Sequence, residues 1–245
     1  MDAQHFDRVA STYVRGRPPY PARLWTLLER HGVLRPGAQV LEVGAGSGQA
    51  TLDLVARGAR VVAIEPGPRL AADLRVRLPD VEVVEGRIED VPLVSGAYDA
   101  AVAATSLHWV DLPTALPRLH TALRPGGLLA AWWQVFGDPE VSTPFRARVH
   151  AIVNPQGRPD TRRTGLDTAE WEADLTQGGW FEHVATEVLR WSIDLSAAQV
   201  RDLFTTFPTW TAAQIDAVEA AAEELGGTVT EHYATGVYVL RRAGR

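Results

Sequence analysis

Residues 42–48 read Glu-Val-Gly-Ala-Gly-Ser-Gly and close an apolar run that begins at residue 38. Small residues at Gly44, Ala45, Gly46, Ser47 and Gly48 let a backbone approach a ligand closely. A helix opening just behind such a loop points free N–H groups at an anionic group. A second acid, Glu65, follows Gly44 by 21 residues, at the end of another apolar run. A glycine loop with an acid at that interval suits an adenosine ligand, whose ribose hydroxyls need an acceptor. Position 49 is Gln, so the GxGxxG dinucleotide fingerprint lacks its third glycine, and no GxxxxGK(S/T) phosphate loop is present. Taken alone, each acid could equally be a solvated strand end.

Further along, Thr105, Ser106, His108 and Trp109 follow the apolar run 98–104. His108 could remove a proton, hydrogen-bond an acidic substrate, or line a pocket. Trp109 could pack against a ligand or meet a cation with its ring face. Near the start, Tyr13, Arg17 and Tyr20 flank "RGRPPYP", and Arg17 offers a planar fork suited to carboxylates. Arg146, Arg162 and Arg163 could recognise anions, although a solvated charge explains each as well. Trp132 and Trp133 alternate across a strand, so only one can face a pocket. Five tryptophans between 132 and 191 make the later half a candidate for an aromatic-lined site, with ordinary core packing the plainer reading.

The elements that must position these residues alternate regularly. Strands are expected at 38–44, 60–66, 81–86, 98–106 and 128–134, with helices at 49–58, 68–78 and 112–123 between them. "RPGG" (124–127) reads as a turn into the fifth strand. Such alternation implies a parallel sheet covered on both faces, with ligands bound beyond the carboxyl ends of its strands. That rule makes residues 43–48, 65–67, 86–90 and 104–110 the lip of one site. Helices are expected at 4–14 and 20–31 before this core, and at 143–153, 196–206 and 211–225 after it. Residues 181–195 read as a strand, and the stretch from 226 as strand material broken by a turn. The chain divides into a cover segment (1–35), a ligand-binding core (36–136), a partly helical insertion (137–225) and a returning strand (226–245).

Composition narrows the function classes. The 245 residues include no cysteine, which excludes disulfides, thiolate catalysis and cysteine-ligated metal sites; no metal ligand set is assigned. A formal charge of −6 argues against broad nucleic-acid binding. No apolar run approaches the roughly 20 residues that a membrane helix needs, and "MDAQHFDRVASTY" is too polar for an export signal. A cytoplasmic protein with a small-molecule partner, and neither nucleic acid nor membrane, is expected.

"LEVGAGSG", "AIEP", "EGRIEDVPL", "YDAAVAATSLHWVD" and "LRPGGLLAAWW" occur in that order. As a set they resemble the class I S-adenosylmethionine-dependent methyltransferases, over about residues 36–134. "FDRVASTYVRGRPPYP" and "LHWVD" resemble the small-molecule subgroup that includes the trans-aconitate methyltransferase-like proteins. The resemblance implies an α/β, Rossmann-like, doubly wound and mostly parallel seven-stranded sheet, with N-terminal helices and a helical insertion or substrate lid after the fifth strand. It implies S-adenosylmethionine as cofactor and transfer of a methyl group to a small molecule, with a carboxylate among the candidate acceptors. A protein or RNA methyltransferase, or a donor-binding homologue without catalysis, are the alternatives.

The resemblance also implies roles for residues. Glu65 would take the ribose hydroxyls and Glu42 the donor's amino group, directly or through water. Gly44, Ala45, Gly46, Ser47, Gly48 and Pro66 would cradle the donor. Ile88 and Glu89 would border the adenine, with Arg87 standing where related chains often carry Asp. Ala104, Trp109 and Tyr13 would complete the donor pocket. Arg17, Tyr20, His108 and Trp133 would face the acceptor, His108 being the one candidate catalytic group.

Overall fold

The computed structural model describes residues 16–154, 163–207 and 209–244. Seven strands form one sheet in the order β3-β2-β1-β4-β5-β7-β6. They are β1 (Gln39–Val43), β2 (Arg60–Glu65), β3 (Glu82–Glu85), β4 (Tyr98–Ala104), β5 (Leu123–Phe136), β6 (Phe181–Ser196) and β7 (Thr228–Arg242). The first five pair in parallel, while β7 runs antiparallel between β5 and β6. The α/β, Rossmann-like architecture is therefore present. The helices are α1 (Ala22–Arg30), α2 (Gln49–Ala56), α3 (Pro68–Arg77), α4 (Leu112–Ala122), α5 (Pro144–Val153), α6 (Thr168–Thr176), α7 (Ala197–Thr205) and α8 (Ala212–Glu224).

Strand alternation sorts the core onto two faces. Val40, Ala63, Val102, Ala130, Trp132 and Val237 pack against α1 and α2 through Leu24, Trp25, Leu28 and Leu54. Leu41, Ile64, Ala103, Leu129, Trp133 and Tyr238 pack against α4 and α6 through Leu116, Leu119, Trp171 and Leu175. A third cluster joins α5, α7 and α8 through Phe145, Val149, Val200, Phe204 and Val218. The late helices start on side-chain signals: Thr143 caps α5, while Ser196/Gln199 and Thr211/Gln214 form capping boxes on α7 and α8.

Three expectations are corrected, and the tryptophans follow the plainer of their two readings. "RPGG" is not a free turn but part of β5, accommodated by a register shift opposite Tyr98 and Ala100 and by Gly126 at φ 77°. β7 is one continuous strand of 15 residues with no turn inside it. Helix α6 was not foreseen; its short sequence, TAEWEADLT, has a weakly amphipathic pattern and is held through Trp171 and Leu175. The tryptophans do not converge on one pocket. Trp132 packs beside Trp25, Trp133 stacks on Trp171, Trp180 meets His120, and Trp191 stacks on Tyr233. The expected helix at 4–14 lies outside the described residues.

Candidate active site

The glycine loop joins β1 to α2 and is held from beneath. The N–H groups of Gly44 and Ala45 both donate to the Ile64 carbonyl, at 2.9 and 3.0 Å. Gly44, Gly46 and Gly48 all have left-handed backbone, with φ of 70°, 58° and 80°. A side chain at Gly44 would strike Ser106, and one at Gly48 would strike Leu74; beside Gly46 the space is open. The loop is thus packed below and vacant above, a cradle that a ligand's polar tail could occupy.

Two buried carboxylates underlie it. Glu65, only 5% exposed, accepts from Gly46 N–H at 2.7 Å and Gly67 N–H at 2.8 Å, so it stitches the loop to the turn after β2. Glu42 is fully buried; one oxygen accepts from the Thr51 hydroxyl at 2.7 Å and the other, Oε1, has no hydrogen-bond partner. Burial pushes the Glu42 carboxyl up to about 8; the Thr51 hydrogen bond opposes this and the charge of Glu65 adds to it. A buried acid with an orphaned oxygen is stabilised by a cationic partner.

A cleft opens over the carboxyl ends of β1, β2 and β4, lined by Gly44–Ser47, Glu65, Pro66, Ile88, Glu89, Ala104, Trp109 and Tyr20. Val43, Gln49, Ala50, Ile64, Leu70, Gly86, Arg87, Thr105, Ser106 and Val110 also line it. Gly48 does not line it but caps α2. Of the other residues singled out in the sequence, Arg17, Glu42, His108 and Trp133 also lie off this wall, and Tyr13 and Arg162 lie outside the described residues. Arg87 does not replace the family's aspartate in kind: its guanidinium bonds Glu89 at 2.7 Å. The same Glu89 oxygen accepts from Asp111 N–H at 2.9 Å, and these bonds hold its carboxyl below the usual range despite partial burial.

Beyond β4, Thr105 has φ 56°, rare for a β-branched residue, and is fixed there by donating to the Trp132 carbonyl at 2.7 Å. That bend ends the strand and starts the 3₁₀ turn Leu107–Trp109. His108 stands on this turn with its ring 4.7 Å from that of Trp109, and its Nδ1 accepts from the Trp133 indole N–H at 3.0 Å. Because an indole only donates, Nδ1 is the bare nitrogen and the proton of the neutral ring sits on Nε2. Packing around the ring pushes the His108 pKa down to about 4, although the residue as a whole is exposed. His108 therefore presents a hydrogen-bond donor, not a base, at neutral pH.

Three features lay outside the sequence reading. Gln49, which stands where a third glycine was missing, donates to the Pro18 carbonyl at 2.5 Å and ties the segment bearing Arg17 and Tyr20 to the loop. Arg118 of α4 donates to the Ile88 carbonyl at 2.8 Å and also bonds that of Val91, fixing the loop after β3. Arg163 covers the Trp171 ring at 3.6 Å and pairs with Asp174 and Glu170, so it is not available to an anion in this arrangement. Sequence alone carried no signal for these long-range partners.

A mostly parallel α/β sheet thus brings a glycine cradle and two buried acids to the carboxyl ends of its strands. Residues 41–131 match the family described as a methyltransferase domain. An uncharacterized methyltransferase of Mycobacterium tuberculosis strain H37Rv is 40% identical over 196 residues, which span 79% of this chain and 76% of the relative. The malonyl-acyl-carrier-protein O-methyltransferase of Serratia marcescens is 30% identical over 164 residues, 58% of this chain and 64% of that one. A provisionally assigned type II methyltransferase from Anaeromyxobacter dehalogenans superposes with a TM-score of 0.63 at 24% identity, covering 91% of this chain and 97% of the other; at that identity the likeness speaks for fold. The chain belongs to the S-adenosylmethionine-dependent methyltransferases. Among the described residues, no helix is long and apolar enough to cross a membrane.

Proposed function

We propose that this methyltransferase acts on a small organic acid, transferring the methyl group to a carboxylate oxygen. The observation that carries the reading is the bond from Trp133 to His108, which leaves the lip with a donor where an alcohol or amine would need a base. A carboxylate is already nucleophilic and needs only orientation. The relative from Serratia marcescens carries a malonyl O-methyltransferase name, which agrees with an acid acceptor.

The residues fit S-adenosylmethionine. When bound, that group supplies an electrophilic methyl on a sulfonium sulfur. Glu65 would take the ribose hydroxyls, and Glu42 Oε1 stands ready for the amino group. The vacant side of Gly46 and the opening of α2 receive the carboxylate tail. Ile88, Glu89 and Trp109 wall the adenosine end, and Tyr20 closes the cleft from the N-terminal side. His108 Nε2–H orients the acceptor oxygen, and Thr105 sets the turn that carries it. The enzyme's contribution is alignment and exclusion of water, with no proton to remove.

Incubation with methyl-labelled donor and matched panels of small carboxylic acids, alcohols and amines tests this. Base-labile methyl esters are expected. Label found only in ethers or methylamines would overturn the acceptor class, and donor binding without transfer to any panel would favour a non-catalytic donor-binding protein.

A further inference from the structure

A second polar site lies on the sheet face that carries Trp132, beyond the donor cleft. Trp132, Gln134 and Phe136 alternate along the end of β5 and share one face with Tyr233 and Thr235, their neighbours on β7. Glu231 lies two residues before Tyr233 and takes the same side. Helix α5 lays Arg146 over this patch: its guanidinium sits 4.3 Å from the Phe136 ring and its Nε is 3.5 Å from Glu231 Oε1. The Tyr233 ring stacks on Trp191 at 4.6 Å and meets Phe136 edge-on at 5.4 Å.

The polar atoms of this patch are left over. Glu231 is 0% exposed and Tyr233 2%, yet Glu231 Oε2 and the Tyr233 hydroxyl have no hydrogen-bond partner; neither do Arg146 Nη1, Gln134 Oε1 and, farther along the same face, Trp132 Nε1. A buried polar atom without a partner is destabilising. Five such atoms on one face carry a cost that a bound group would reduce. The patch also adjoins the donor: Trp132, two residues before Gln134, meets Tyr20 at 5.7 Å, and Tyr20 lines the donor cleft.

We propose that Gln134, Arg146, Glu231 and Tyr233 form the subsite that anchors a hydroxyl group of the methyl acceptor. Their four atoms are two acceptors, one donor and one hydroxyl that can do either, and the Trp132 indole N–H adds a second donor on the same face. A ligand hydroxyl matches them: its proton goes to Glu231 Oε2 or Gln134 Oε1, and its oxygen accepts from Arg146 Nη1 and Tyr233. An ionised carboxylate only accepts and would confront Glu231 and Gln134. An ammonium only donates and would confront Arg146, whose charge Glu231 already opposes. Phe136, Tyr233 and Trp191 give the site flat apolar walls, so the hydroxyl belongs to an aromatic or otherwise apolar body. The acceptor is then a hydroxylated acid, anchored here by its hydroxyl. The inference rests on the proposed function only in calling the bound molecule a methyl acceptor.

Binding is measurable without turnover, which separates the two ideas. Phenol, toluene and benzoate serve as probes for calorimetry on the full chain. The titrations run at about pH 8.5, where phenol is neutral and Glu231 is largely ionised. Phenol is expected to bind about tenfold more tightly than toluene, and Tyr233→Phe, which keeps the ring against Trp191, is expected to erase that difference. Glu231→Gln gives a second variant, with circular dichroism checking that each is folded. Absence of phenol binding, equal affinity for toluene, a preference for benzoate, or a phenol preference that survives in folded Tyr233→Phe would each overturn the proposal. A failure of methyl transfer in the labelled assay would leave this result standing.

Discussion

At the scale of single residues, Glu65 serves two masters. It would hold the donor's ribose and it already satisfies the amides of Gly46 and Gly67. Replacing it with Ala removes a charged partner and strands two amides, so donor affinity should fall by about 2–4 kcal/mol in a calorimetric titration. An unaltered affinity would remove the donor site from this cleft. His108 depends similarly on a neighbour. In Trp133→Phe the stack on Trp171 survives while the indole N–H is lost, freeing Nδ1 to take a proton. Because burial is what lowers the His108 pKa and the ring stays packed, the value should remain well below 6.5 in an NMR titration, while the ring signals lose the Nε2–H tautomer preference that the indole imposes. No charged group contributes to the low value; Arg163, the cation nearest this aromatic stack, is paired with Asp174 and Glu170.

At the scale of elements, the strand–loop–helix rhythm of residues 38–134 was legible because each buried parallel strand is a compact apolar run bounded by turn residues. The glycine loop, Glu65 and the residues after β4 announced themselves through spacing. What remained unreadable depends on distant partners. β7 holds one extended path because β5 and β6 bond it on both sides, leaving no place for the turn expected after residue 226. Helix α6 is a product of packing more than of its own pattern. Gln49 shows the same limit: its type excluded a dinucleotide loop, but its tether to Pro18 was visible only in three dimensions. Gln49→Gly would complete the dinucleotide fingerprint and cut that tether. Donor affinity should drop by about 1 kcal/mol, with faster proteolysis in the segment before α1 as the accompanying sign.

At the scale of the whole molecule, two carboxyls titrate far above the range usual for acids: Glu42 at about 8 and Glu231 at about 7, burial being the main cause for each. The native state therefore holds more protons than the unfolded chain between roughly pH 4.5 and 8, so stability falls as pH rises through that window. Glu89 and Asp138 are shifted the other way, and their contribution is lost only as pH falls through their lowered values; His108, lowered to about 4, offsets one of the two carboxyl protons up to about pH 6.5, so the fall is steepest near pH 7. The melting temperature of the donor-free enzyme should thus decline from mildly acid to mildly alkaline pH. Glu42→Gln should flatten the decline, recovering about 4 kcal/mol at its alkaline end while binding the donor more weakly. A melting curve insensitive to pH in the parent protein would show that Glu42 is ionised without cost.

The order of the strands carries a further consequence for synthesis. β6 pairs with β7 alone, yet β7 follows it in the chain by two helices. While the ribosome adds the 46 residues between Ser196 and Arg242, about 2–9 s, the 16-residue β6 has no neighbour to close its ladder. The nascent chain thus spends seconds with its longest strand unpaired, a window in which chaperones have most to protect.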